Sequence, residues 1–316
     1  AHGHPGYQGY GWYRRTVSVP AGSRAWDILG PAAVDDGYEL YWNGVKLGGS
    51  GRLGANPRVV GVRPMIFPLP ADAASSRGVL AIRAYMQPGL HAVARSGGTA
   101  GGVHVAPSLG PRPQSAALYR AQWWRTIAGY VVEVVEPLAM FALIGLALVV
   151  RPRSSHPDFI PLVCVALVFS AMKRLDNAIV SWTDLMSLPA YVWLPRVLWT
   201  PLRLSTWALA WNHWRKPPSR AIDVAALALG AVGIAGGAIK ATAMTDLCRF
   251  GMLALFAVIV VRMARKSPMR IMALAAMALI LVAQYPGELG SIGAPGIWFP
   301  FGIGVTLAQY AYAIAI

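Results

Sequence analysis

The sequence predicts a two-part membrane protein: an extracytoplasmic all-β sandwich or jelly-roll domain, followed by an α-helical bundle of seven transmembrane helices. Three observations predict it. Residues 1 to 115 alternate with a period of two, punctuated by Gly, Pro, Asn and Ser, the pattern of short half-buried strands. From Gly129 to Ile316 the chain carries seven long apolar stretches, and about 20 helical residues cross a hydrocarbon core of about 30 Å. Basic residues between those stretches fall almost wholly on alternate loops, as positive-inside insertion demands.

The β region is read first. Tyr13 to Pro20 reads as a strand closed by proline. Tyr38 to Trp42, Asn43-Gly44, then Val45 to Leu47 reads as a hairpin, because Asn-Gly tolerates positive φ at both turn positions. Val60 to Leu69 and Val79 to Tyr85 add two strands. Trp12, Tyr13 and Trp42 are read chiefly as packing aromatics, and Arg83 as the partner of a carboxylate at a strand edge. Loops at one end of a sandwich are where ligands bind. The candidate ligand-binding residues are Trp12, Arg52, Asn56, Arg58 and His91. A glycosidase needs two placed carboxylates. The few acids here (Asp27, Asp35, Asp36, Glu39 and Asp72) form no such pattern, so no catalytic residue is assigned and the chain is not expected to be an enzyme.

Residues 116–125 read as a linker helix at the headgroup level, with Trp123 and Trp124 beside Arg125. The seven expected spans within 126–316 are 126–150, 158–180, 189–212, 221–239, 244–264, 269–286 and 296–316. Arg151 and Arg153, then Arg215, Lys216 and Arg220, then Arg262, Arg265, Lys266 and Arg270 mark one side, against Lys240 in the opposite loops. That bias places the N-terminus outside and the C-terminus in the cytoplasm of a multi-pass membrane protein. The start at Ala1 fits a removed signal peptide, and the apolar run up to Ile316 fits a chain that continues.

Charges inside the spans form a polar cluster: Glu133, Glu136, Lys173, Arg174, Asp176, Arg196, Asp246 and Arg249, all in the outer half by this topology. Charge at membrane depth must pair or face water. The cluster reads either as structural ion pairs or as a polar cavity coupling an external domain to helix movement.

The 316 residues are 56% hydrophobic and 13% charged, with mean hydropathy +0.47; a soluble domain has roughly 25% charge. The net charge of +15 lies largely in loops where insertion and anionic lipid account for it. No basic-aromatic groove motif accompanies it, so nucleic acid is not an expected partner. Cys164 and Cys248 fall in separate spans near opposite faces and are not expected to pair. No zinc or other metal spacing occurs, and no cofactor is expected.

Gly11-Trp12-Tyr13-Arg14-Arg15, Asp36 to Gly44, Gly49-Ser50-Gly51 and Val79 to Arg83, in that order, resemble the galactose-binding-like jelly roll that precedes the catalytic domain of family 2 glycoside hydrolases. The order of sandwich, aromatic linker and seven helices is similar to bacterial seven-transmembrane receptors with diverse intracellular signalling modules. That resemblance implies a receptor in a bacterial inner (cytoplasmic) membrane for a carbohydrate or related small molecule, relaying to a cytoplasmic output domain beyond Ile316. The partners it implies are membrane lipid, an extracytoplasmic small molecule or glycan, and a signalling output domain or partner; a homodimer is compatible with it. Two alternatives stay open: a transporter or channel with a periplasmic binding domain, and a non-signalling carbohydrate-binding envelope protein.

Overall fold

The computed structural model describes residues 7–20, 25–31, 33–34, 36–70, 77–88, 102–153, 158–214 and 217–263. The chain divides into two compact units. One comprises Ala1–Glu133 and Asp176–Val192; the other comprises Val134–Leu175 and the chain from Trp193 onward.

The first unit is built on antiparallel sheets. Strands β1 (Gly9–Ser18), β4 (Gly37–Trp42), β5 (Val45–Ser50) and β7 (Arg77–Met86) form a sheet of order β1-β7-β4-β5. Strands β2 (Trp26–Leu29), β6 (Ile66–Pro68) and β9 (Ser108–Pro111) form a second, of order β6-β2-β9. Strands β3 (Ala33–Val34) and β8 (Val103–Val105) make a third pair. The β4–β5 hairpin turns at Asn43 (φ 46°) and Gly44 (φ 84°), the two positive values that a tight type I′ turn needs. Strand β5 runs through Gly48 and Gly49 to Ser50, held by pairing with β4 and a register shift between Leu40 and Tyr41.

One face of the four-stranded sheet is apolar. Tyr38, Leu40 and Trp42 of β4 and Ile82 and Ala84 of β7 join Ile28 of β2, Val34 of β3 and Phe67 of β6 in one buried cluster. Side chains alternate across a strand, so Glu39, Tyr41, Ala81 and Arg83 fall on the other face. There Arg83 meets its expected carboxylate, but between the two central strands rather than at an edge. Its Nη2 lies 2.7 Å from Glu39 Oε2.

Helix α1 (Arg112–Tyr130) starts directly from β9. The Arg112 amide donates to the Ala25 carbonyl at 2.8 Å, and the Ser115 hydroxyl donates to Gly110 O at 3.2 Å. The segment from Asp176 also belongs to this unit. It contains the end of α3 (Phe159–Trp182) and all of α4 (Leu188–Leu194). Gly61 abuts the carbonyl of Val180 so closely that a Cβ would collide with it, and the Leu188 amide donates to Val59 O at 3.0 Å.

The second unit is helical: α2 (Val132–Val150), most of α3, a π-helical turn at Pro195–Trp199, α5 (Thr200–Trp214), α6 (Arg220–Ala238) and α7 (Thr242–Met263). Its core gathers Met140, Phe159, Leu167, Leu204, Trp207, Trp211, Ile222, Met252 and Phe256, one or more from each helix. Trp207 and Trp211 lie 5.6 Å apart, and Phe256 meets Trp211 edge-on at 5.2 Å. Gly230 faces Ser205, whose hydroxyl donates to Ala226 O at 2.9 Å. Small residues let helix backbones approach where lipid offers no hydrophobic drive. Cys164 and Cys248 are both buried and free.

The seven-helix expectation is overturned. Among the described residues three helical runs are long and apolar enough to cross a membrane: Arg112–Val150, Arg220–Ala238 and Thr242–Arg262. They cover the first, fourth and fifth expected spans. The second expected span forms as α3, but Lys173, Arg174 and Asp176 make its latter half too polar. The third, 189–212, is helical throughout as α4, the π turn and α5, but Arg196, Arg203 and its prolines and tryptophans leave it too polar to count among the three; Pro195 opens the π turn and Pro201 follows it. Proline removes an amide donor and clashes with the preceding turn. The spans 269–286 and 296–316 lie outside the described residues. The jelly-roll expectation holds only as far as antiparallel sheets around a shared apolar cluster.

Candidate functional site

Within the sheet unit a cleft of about 490 Å³ is lined by Gly49 to Arg52, Arg58, Val60, Arg63 to Ile66, Tyr119, Trp123 and Asp184. Three arginines and one carboxylate give it a positive balance. Two aromatic rings from α1 supply an apolar wall.

The loop after β5 presents the first two arginines. Arg52 and Arg58 form an isolated antiparallel bridge, with amide-to-carbonyl distances of 2.9 and 2.8 Å. Gly51 opens that loop at φ 81°, a conformation that favours glycine. Leu53 and Val59 anchor it in a small buried cluster with Tyr85. Arg83 Nη2 donates to Leu53 O at 3.1 Å, and the Tyr10 hydroxyl donates to Gly54 O at 2.8 Å. The loop is therefore pinned from both sides before any ligand arrives.

The third arginine is engaged. Arg63 Nη2 forms an ion pair with Asp184 Oδ1, and Nη1 donates to Trp182 O at 3.2 Å. Arg58 Nη2 donates to the Asp184 carbonyl at 3.1 Å. These contacts hold the turn between α3 and α4. Arg52 is exposed, and its side chain makes no hydrogen bond or ion pair among the described residues.

On the polar face of the four-stranded sheet, Glu39 is the hub. Its side chain is 3% exposed. It accepts from Lys46 Nζ at 2.6 Å and from the Tyr41 hydroxyl at 2.8 Å, besides its pair with Arg83. Burial pushes its carboxyl up. The hydrogen bonds from Lys46 and Tyr41 and the charges of Arg83 and Lys46 outweigh that and hold it below the usual carboxylate range. It is an ionised structural centre and lines no part of the cleft.

The sequence-derived candidates separate. Arg52 and Arg58 line the cleft. Asn56 is exposed in the same loop but is not a lining residue. Trp12, 49% exposed on β1, lies against Tyr41 at 5.4 Å, with Arg14 over its ring at 5.5 Å. His91 lies outside the described residues. Sequence reasoning missed Arg63 and Asp184, and it placed Trp123 in a linker helix at the headgroup level rather than in a cleft. The recurrence of arginine at 52, 58 and 63 was a usable signal, whereas Asp184 carries no local mark.

In the helical unit the polar cluster is brought together in part. Arg174 Nε lies 2.9 Å from Glu136 Oε2, a pair between α3 and α2. Lys173, Arg196, Asp246 and Arg249 are half-buried in the same unit. Glu133 and Asp176 belong to the sheet unit, with Asp176 2% exposed. Arg203 is also buried, at 7%. Among the described residues no group of His, Cys, Asp and Glu is arranged to hold a metal ion. No protein-family model, curated protein or solved structure matches the chain.

Proposed function

We propose that the chain is a membrane receptor that binds a small extracytoplasmic molecule, of carbohydrate or related class, in the cleft of its sheet unit and relays occupancy through its membrane helices. The observation that carries this reading is the origin of the cleft walls. Arg52, Arg58 and Arg63 come from the sheet loops. Tyr119 and Trp123 stand on α1, in the helical run Arg112–Val150 whose later part is apolar, and Asp184 stands in the turn that follows α3. A ligand seated there touches the roots of two helices at once. A ligand shifts an equilibrium only by contacts that differ between two states, and such walls provide them.

Trp123 supplies a face for a sugar ring, and the arginines and loop carbonyls supply polar contacts. The basic residues Arg151, Arg220 and Arg262, at the ends of apolar helices, support a cytoplasmic location for those ends and an external cleft. Relay then passes to a cytoplasmic output domain or partner, and the chain itself acts by binding rather than catalysis.

The test is a glycan array probed with the full chain in lipid nanodiscs, beside the Trp123→Ala variant. Binding to a small set of glycans, lost in the variant, is the expected result. No bound glycan, or binding indifferent to Trp123, overturns the reading.

A further inference from the structure

We infer that the cleft selects a ligand bearing a carboxylate or phosphate group on a sugar-sized body, and that Asp184 is the internal group it displaces. This rests on the cleft being the sensing site and names the chemistry it accepts.

The cleft's charge is the first argument. Arg52, Arg58 and Arg63 face one carboxylate, so the lining carries an excess of two positive charges. A neutral sugar leaves that excess unmatched. Guanidinium groups hold carboxylate and phosphate through paired hydrogen bonds with fixed geometry.

The division of labour among the arginines is the second. Arg58 and Arg63 both hold the turn at Asp184, one by its backbone carbonyl and one by its carboxylate. Arg52 has no such duty: its side chain is unengaged among the described residues. It is the cation available to an incoming anion without prior loss of a contact.

The weakness of the internal pair is the third. Asp184 is 66% exposed against 21% for Arg63. An exposed ion pair of this kind changes an equilibrium by only about two- to fivefold. An anion held by Arg52 and reaching Arg63 competes with Asp184 at little cost. Once displaced, Asp184 no longer ties the turn between α3 and α4 to the sheet through its carboxylate. Occupancy of the cleft is thereby converted into release of that turn, the bistable contact that relay requires.

The experiment is calorimetric titration of the full chain in nanodiscs with galacturonate, galactose 6-phosphate and galactose, at two salt concentrations. Galacturonate or the phosphate ester is expected to bind at least tenfold more tightly than galactose, and more weakly at high salt. Which of the two anions leads distinguishes carboxylate from phosphate as the group recognised. Arg52→Gln is expected to remove most of that preference, and Asp184→Asn to tighten anion binding about two- to fivefold. Hydrogen exchange at residues 183–187 is expected to quicken with the anionic sugar and not with galactose.

Equal binding of galactose and both anionic sugars overturns the anion assignment and leaves the sensing reading standing. Binding of none of the three overturns both. Weaker anion binding in Asp184→Asn, or unchanged exchange at 183–187, overturns the displacement role of Asp184.

Discussion

The two units bury polar groups by opposite means. In the sheet unit Glu39 is surrounded by Lys46, Tyr41 and Arg83, and one carboxylate stitches three strands together. In the helical unit the interior is apolar and aromatic around Trp207, Trp211 and Phe256. At its polar cluster Glu136 pairs with Arg174 at 2.9 Å. A sheet exposes one polar face that can host a network, whereas a helix in lipid must satisfy its backbone internally and has little polar surface to spare. The sheet unit should therefore be sensitive to charge and pH, and the helical unit to volume.

That contrast can be broken, first, at Trp211. Trp211→Ala leaves a cavity among Trp207 and Phe256 and is expected to cost about 4 kcal/mol. Thermal unfolding followed by the helical signal in detergent checks it, and a shift that varies with pH would blur the distinction. Next comes Glu39→Ala, which leaves a half-buried arginine without its carboxylate and is expected to cost about 3 kcal/mol.

The pH dependence of Glu39 follows from its lowered carboxyl. Its contribution is fully present above the unfolded carboxylate pKa, near 4 to 5, and is lost as pH falls through the lower folded value. Melting curves from pH 7 to pH 3 should fall steeply in the native chain and less steeply in Glu39→Gln. Equal slopes would remove Glu39 from the account.

The smallest effect is at the hairpin. Asn43 accepts from the Val79 amide at 2.7 Å and holds φ 46°. Asn43→Ala is expected to cost about 1 kcal/mol, and Asn43→Gly less, since glycine keeps the turn geometry. Equal losses with Gly and Ala would show that the hydrogen bond, which both variants remove, dominates over the turn conformation.

Legibility followed range. The β4–β5 hairpin was readable because Asn43-Gly44 encodes its own geometry. Strands β2, β3, β8 and β9 are two to four residues long, too short for a period of two to emerge, and they exist because partners pair with them. Two of the three cleft arginines, Arg52 and Arg58, were readable as loop residues. Arg63 was passed over within the expected strand Val60 to Leu69, of which only Ile66–Pro68 forms. The third expected span forms a helix but is not apolar enough to cross a membrane, because Arg196, Arg203 and its prolines and tryptophans offset its leucines and valines, which a reading by length alone passes over.

By itself the sequence determined the apolar runs, the hairpin, the alternating strands and the separation into a sheet region and a helical region. These depend on side chains within a few residues of one another, where backbone propensity and hydrophobic period act directly. Only the tertiary structure decided that Arg63 meets Asp184, 121 residues away, and that Glu136 meets Arg174. The same holds for Trp123, which walls a cleft besides standing near a membrane end. Such pairings are fixed by how strands and helices stack, and no local pattern carries that information.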